Sequence, residues 1–203
     1  MTDHMDRVRA RLAELTFWTD AAQRVSRIKG NLQVLPVNMM AEALQASTEP
    51  ARRLYWMREI NQMFDYAMQG IAPCKAGCDA CCHMATFISV HEADRIAAAT
   101  GRPRADPADR CTLDDIEDDR TRFNGVPCAF LVDHQCSIYT DRPHVCRVHF
   151  SVDRDNLLCQ IVPGEAIKMP SFDNTNMNVL ALMVDGDPSE AKMADIREFF
   201  PPR

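Results

Sequence analysis

Four cysteines fall within nine residues, Cys74, Cys78, Cys81 and Cys82 in the stretch CKAGCDACC, and the last two are adjacent. Thiols at this density have three chemical uses: disulfide halves, a nucleophile, or ligands for a metal. Adjacent cysteines seldom join each other, because the eight-membered ring strains the intervening peptide and disulfide geometry is specific. A nucleophilic cysteine needs a base or a positive field rather than three neighbouring thiols. Metal ligation does use such density, since thiolates are the main ligands of structural zinc and of iron–sulfur clusters.

Were the stretch helical, with Pro73 in its first turn, Cys78, Cys81 and Cys82 would lie at about +40°, −20° and +80° from Cys74, one sulfur-lined face. Cys74 and Cys82 would then be about 12 Å apart along the axis, too far for one zinc with bonds of about 2.3 Å. Either Gly77 breaks the segment, or the thiols divide between two centres, or a larger iron–sulfur cluster spans more of them. In each case further ligands must come from elsewhere.

A second group supplies them. Cys128, Cys136 and Cys146 sit in PCAFLVDHQCSIYTDRPHVCR, and Cys159 lies 13 positions further on. A hairpin would bring Cys128 and Cys136 together, much as zinc ribbons hold their ligands. The candidate ligand set is therefore Cys74, Cys78, Cys81, Cys82, Cys128, Cys136, Cys146 and Cys159. Four thiolates on Zn²⁺ or on a [4Fe–4S]²⁺ core leave about −2 of net charge, which nearby cations would offset. Arg142 and Arg147 are placed for this, whereas Lys75 reads as ordinary surface charge. Cys111, in a linker, reads as a free thiol. His83 and His149 adjoin the cysteines but read as non-ligands, and His4, His91, His134 and His144 carry no functional signal.

The elements that must position these residues are mostly helical. Val8, Leu12, Leu15, Trp18, Ala22, Val25 and Ile28 step by three or four, one apolar stripe, with Gly30 as a stop. Ser47 or Thr48 can cap a second helix with Glu49 and Pro50 in its first turn. That helix carries Met57, Ile60, Phe64, Ala67 and Ile71 on one face, where the methionines read as core. SVHEADRIAAATG is a third helix, with Ser89 and Glu92 as a capping box and Gly101 as its end. TLDDIEDDRTRF reads as a short acidic helix, CAFLVDHQCSIY as a small hairpin, and roughly Asn174–Met183 and Ser189–Phe199 as two last helices. The expected fold class is mainly α (α+β), a helical domain with a small β-hairpin at a cysteine-rich metal site. Its expected parts are an N-terminal helical region (1–72), a cysteine-cluster metal-binding core (73–150) and a C-terminal helical region packed on the core (151–203).

Composition narrows the class. A chain of 203 residues needs no disulfides merely to stay folded. Nine cysteines are too many for ordinary structural use in a reducing compartment, and an odd number leaves one over from complete pairing. MTDHMDRVRARLAEL lacks the apolar segment of a secretory signal, and no run is long enough to span a membrane. A soluble, cytoplasmic protein is expected. The net charge of −6 argues against a nucleic-acid partner; Arg7, Arg9 and Arg11, a local basic run, read as a solvated helix face.

The cysteine-bearing segment resembles the YkgJ-type cysteine cluster family, a zinc- or iron-chelating domain. The family pattern is C-x3-C-x2-C-C, then P-C-x-F-L, then C-x-I-Y-x-x-R-P-x-x-C-R. Here it reads Cys74, Cys78, Cys81 and Cys82; Pro127, Cys128, Phe130 and Leu131; then Cys136, Ile138, Tyr139, Arg142, Pro143, Cys146 and Arg147. Ala129 stands where the family often has Pro. The resemblance spans roughly residues 73–150 and implies a metal ion or cluster as partner, zinc or iron–sulfur, with room for a protein partner. Flagellin lysine methylases carry a similar region, but nothing in this sequence supports that activity. The alternatives are an iron–sulfur enzyme or a redox or electron-transfer partner. CKAGCDAC formally matches the C-x3-C-x2-C of radical-SAM enzymes, yet helices precede it, only about 120 residues follow it, and Ala80 replaces the usual aromatic residue, so that chemistry is disfavoured.

Overall fold

The computed structural model describes residues 2–32, 49–108, 122–162, 164–173 and 193–201. The first apolar stripe forms two helices rather than one, α1 (Thr2–Leu12) and α2 (Phe17–Leu32). Between them Glu14 N–H donates to the Arg11 carbonyl and Phe17 N–H to the Glu14 carbonyl, turning the chain. The break resets the helical phase. Phe17, Ala21 and Ile28 are buried, while Leu15 is fully exposed and Trp18 and Ala22 face solvent. Gly30 lies inside α2 and does not stop it.

Arg11 corrects the reading of a solvated basic face. It is buried, donating to Asp153 Oδ2 at 2.6 Å and Asp155 Oδ2 at 2.8 Å. This pins α1 to the chain just before Cys159. Arg9, by contrast, is exposed and pairs with Asp6.

Helix α3 (Pro50–Met68) begins with Pro in its first turn and Glu49 at the N-cap position, with no side-chain cap bond. Ser47 and Thr48 lie outside the described residues. Met57, Phe64, Ala67 and Ile71 are buried, so these positions do form the core face. Strand β1 (Phe87–Ser89) leads into α4 (Val90–Thr100), where Ser89 accepts from the Glu92 N–H and Gly101 ends the helix at φ 67°. Strands β2 (Leu131–Val132) and β3 (Gln135–Cys136) form the expected hairpin, with Leu131 opposite Cys136. Its turn residues Asp133 (φ 47°) and His134 (φ 60°) are both left-handed, the geometry whose twist suits a two-residue hairpin. The short helix α5 (His144–Val148) follows.

The C-terminal segment departs from expectation. Within the stretch read as one helix, residues 193–195 form strand β4 (Met193–Asp195), antiparallel to β1 with Ile88 opposite Ala194. Among the described residues of that stretch only α6 (Ile196–Phe199) is helical, opened by a capping box between Asp195 and Glu198. A partner strand more than 100 residues away overrides local propensity there. The acidic helix at Thr112 falls almost wholly, and the helix at Asn174 entirely, outside the described residues; Arg122–Gly125 form a turn.

The chain is thus mainly α, with two small two-stranded antiparallel sheets. One apolar cluster joins β1, α4, β4, α6 and the hairpin through Ile88, Ile96, Phe130, Ile196, Phe199 and Phe200. A second joins α2 and α3 to Phe150 and Val152. The third packs Val8 and Phe17 on Leu157 and Leu158. Cys128 and Cys136 pack against the first cluster. Among the described residues no helix is long and apolar enough to cross a membrane.

Candidate metal centre

The segment Cys74–Cys82 is not a helix. A turn at Ala76–Gly77, with Gly77 at φ 87° and Cys78 N–H donating to the Lys75 carbonyl, reverses the chain. A 3₁₀ turn over Ala80–His83 follows. Gly77 supplies a break, one of the three alternatives the axial distance left open, at a φ that an L side chain rarely adopts.

The two cysteine segments are joined through their backbones. Cys128 N–H donates to the Cys82 carbonyl at 2.7 Å, and Gly125 N–H to the His83 carbonyl at 2.7 Å. At the hairpin tip, His134 Nδ1 lies 2.6 Å from Asp79 Oδ2. Cys146 is carried by α5, which docks on α3 and α4: Arg142 and Arg147 both reach Asp65, at 2.9 and 3.2 Å, and Glu92 accepts the His144 N–H.

The result is a cavity of about 50 Å³ lined by six thiols, Cys78, Cys81 and Cys82 from the first segment and Cys128, Cys136 and Cys146 from the second. Cys74 and Cys159 are not on it. They line a larger, adjoining cavity of about 420 Å³, whose wall also includes Cys78, Cys81 and His149. His83 is on neither of these two cavities; its Nδ1 contacts the Asp79 carbonyl. His144 is buried against Asn61 Oδ1, and His134 is exposed at the hairpin tip. Cys111 lies outside the described residues.

Electrostatics distinguish the thiols. The hydrogen bond from Cys82 lowers Cys81 to about 7, against the burial that would raise it, and Arg142 assists. The same bond raises Cys82, together with burial. Burial pushes up Cys128 and Cys136, and Cys146 most of all. Across the second cavity Cys159 is pushed to about 12 by burial, and Cys74 is raised because its thiol end is desolvated although the residue as a whole is exposed. Desolvated thiols of this kind are weak acids alone but are deprotonated outright by a coordinated cation.

Among the described residues no three His, Cys, Asp or Glu side chains converge closely enough to hold one ion. The six thiols surround the space without closing on it. Rotation of a cysteine between staggered χ1 wells moves its sulfur about 3 Å. Two observations show that the residues fit a thiolate-bound metal. The small cavity is lined by six thiols and by no histidine or carboxylate side chain, and thiolates are the ligands of many zinc and iron–sulfur centres. Arg142 lines it, stacked 4.4 Å over Tyr139, and its buried Nε–H has no partner among the described residues. An anionic thiolate centre would supply that partner and be offset by the charge. Lys75 is exposed.

A residue with no signal in the cysteine pattern holds the halves together. Arg197, on α6, donates from Nη2 to the carbonyls of Cys82, Met84 and Val126, and from Nε to that of Pro127. Its Nη1 pairs with Asp195, which is wholly buried and also accepts the Thr86 N–H. One guanidinium thus ties the chain after Cys82 to the chain before Cys128. Nothing in local spacing marks it.

The family model described as "CxxCxxCC: Putative zinc- or iron-chelating domain" matches residues 73–170. The match runs beyond the recognised motif to include Cys159. No curated protein and no solved structure matches the chain.

Proposed function

From the membership of residues 73–170 in the zinc- or iron-chelating CxxCxxCC family, we propose that this protein holds zinc or an iron–sulfur cluster in the six-cysteine cavity. The observation that carries the reading is the meeting of three thiols from Cys74–Cys82 and three from Cys128–Cys146 around one small space. Cys78, Cys81, Cys82, Cys128, Cys136 and Cys146 are the ligand pool, from which four satisfy a single zinc or a cubane. Cys74 and Cys159, on the neighbouring wall, stand outside this pool. Bound there, a metal cross-links two segments that backbone hydrogen bonds, the His134–Asp79 contact and Arg197 also join. Structural zinc contributes about 10–16 kcal/mol in zinc-finger peptides, comparable with the whole stability of a domain. In this reading residues 1–72 buttress the core 73–150, and residues 151–203 pack on it.

A second reading, a redox or electron-transfer protein or an iron–sulfur enzyme, is supported by the larger cavity. It reaches Cys78 and Cys81 from outside and would give a small molecule or a partner access to the centre.

Anaerobic purification followed by a visible absorption spectrum and metal analysis tests both readings. Iron and sulfide with broad visible absorption select the cluster. Colourless protein with stoichiometric zinc selects the structural site. Protein that takes up neither metal, even after reconstitution, overturns the proposal.

A further inference from the structure

Cys74 and Cys159 do not line the six-cysteine cavity; both line the adjoining one, whose wall they share with Cys78, Cys81 and His149. Ser151 lines that same cavity beside them. Ser151 is in turn bridged to Ser171, and Val152 N–H donates to the Pro170 carbonyl at 2.9 Å. This pairing lays Met169 alongside the 3₁₀ turn Leu157–Cys159, which is anchored by Leu157 and Leu158 in the core beneath α1 and α2. The Cys159 sulfur lies 3.5 Å from the Met169 sulfur. Cys74, Cys159 and Met169 all face the same cavity, whose other walls include Leu158, Ile161 and Ile167.

We propose that Cys74, Cys159 and Met169 form a second metal site, for a soft monovalent cation such as Cu(I), separate from the six-cysteine centre. The sulfur spacing suits shared ligation. Two sulfurs 3.5 Å apart, each about 2.3 Å from one ion, subtend about 100° there, within the range of trigonal and tetrahedral sites. The donor type selects the ion. An uncharged thioether gives little to a hard divalent cation, whereas thiolate and thioether together favour Cu(I). Two thiolates leave a Cu(I) site with one net negative charge, and binding releases two thiol protons to solvent. Carboxylates, which would favour harder ions, are represented on the cavity wall by Glu165 alone, an exposed residue. The site does not depend on which metal the six-cysteine cavity takes.

The test is an anaerobic titration of the full-length protein, as purified with its resident metal, with Cu(I) in competition with bicinchoninate. Zinc and iron retained by the protein are measured in the same samples. The wild type should bind one equivalent of Cu(I) and keep its resident metal. Met169→Leu, which conserves volume and removes the thioether, should weaken Cu(I) binding tenfold or more. The double variant Cys74→Ser/Cys159→Ser should lose the equivalent, and both variants should keep the wild-type content of zinc or iron. Unchanged Cu(I) affinity in the two variants overturns the proposal. So does loss of resident zinc or iron from the double variant in step with Cu(I), because the two cysteines would then belong to the first centre. Protein that takes up neither zinc nor iron even after reconstitution, yet binds Cu(I) through these residues, refutes the six-cysteine reading and leaves this one standing.

Discussion

Replacing Arg197 with methionine removes the guanidinium that joins the two cysteine segments while keeping most of the side-chain volume. The side chain is 4% exposed and its partner Asp195 is 0% exposed, so the variant leaves a carboxylate in the interior. That carboxylate keeps only uncharged donors in view, including the backbone N–H groups of Thr86 and Arg197. Removing one member of a buried pair costs about 3–5 kcal/mol. The carbonyls of Cys82, Met84, Val126 and Pro127 lose a charged donor as well. These bonds act as one unit with the ion pair, so their losses are not added separately. The expected loss, about 3–5 kcal/mol, corresponds to a Tm lower by about 6–20 °C in a chain of this size. The assay is thermal melting by circular dichroism beside metal analysis of the same samples. Because the two segments meet at the cavity, metal content should fall together with Tm. Arg197→Lys keeps the charge but not the planar fork, and should recover only part of both losses. A Tm within about 2 °C of wild type, with full metal content, would refute the role assigned to Arg197.

Alanine at Cys78, Cys81 or Cys136 should sharply reduce bound metal, measured by elemental analysis; full occupancy and stability in all three would remove them from the ligand set. Stripping the metal with a chelator should unfold residues 74–150, and unchanged circular dichroism with retained cooperative melting would contradict that. Gly77→Ala meets open space at the new methyl group, so its cost is the left-handed backbone alone. A loss of about 1–2 kcal/mol is expected in a denaturant titration. The Arg11 hydrogen bond holds the Asp155 carboxyl below the usual carboxylate range. Its contribution is therefore present above the ordinary pKa of about 4 and is lost as pH falls through the lower folded value. Arg11→Met should flatten that acid-side loss of stability, and an unaltered pH profile would show that the α1 anchor does not titrate as described.

Local chemistry was legible where it depends on neighbours in the chain. Ser89 and Gly101 bound their helix because capping and left-handed termination involve residues a few positions apart. The hairpin between Cys128 and Tyr139 was legible for the same reason, although its turn centres on Asp133 and His134. The break at Gly77 could be anticipated from a length argument. The single N-terminal helix could not survive inspection, because its apolar spacing continues through Leu15 and Trp18 while burial moves to Phe17 and Ala21. Spacing alone does not report a phase change imposed by a distant anchor such as Arg11 on Asp153.

The sequence by itself singled out the candidate donors. Residue type and short-range spacing put forward eight cysteines as proposed ligands, and the motif running from Cys74 to Arg147 lies within residues 73–170, which the family model matches. Only the tertiary structure decided their grouping. Which six thiols share one cavity, and which two stand with Met169 across the wall, depends on Cys82 meeting Cys128, on Ser151 meeting Ser171, and on Arg197 bonding back to Cys82 from 115 positions away. Such contacts arise when the chain packs its apolar clusters, so no periodicity along the sequence encodes them.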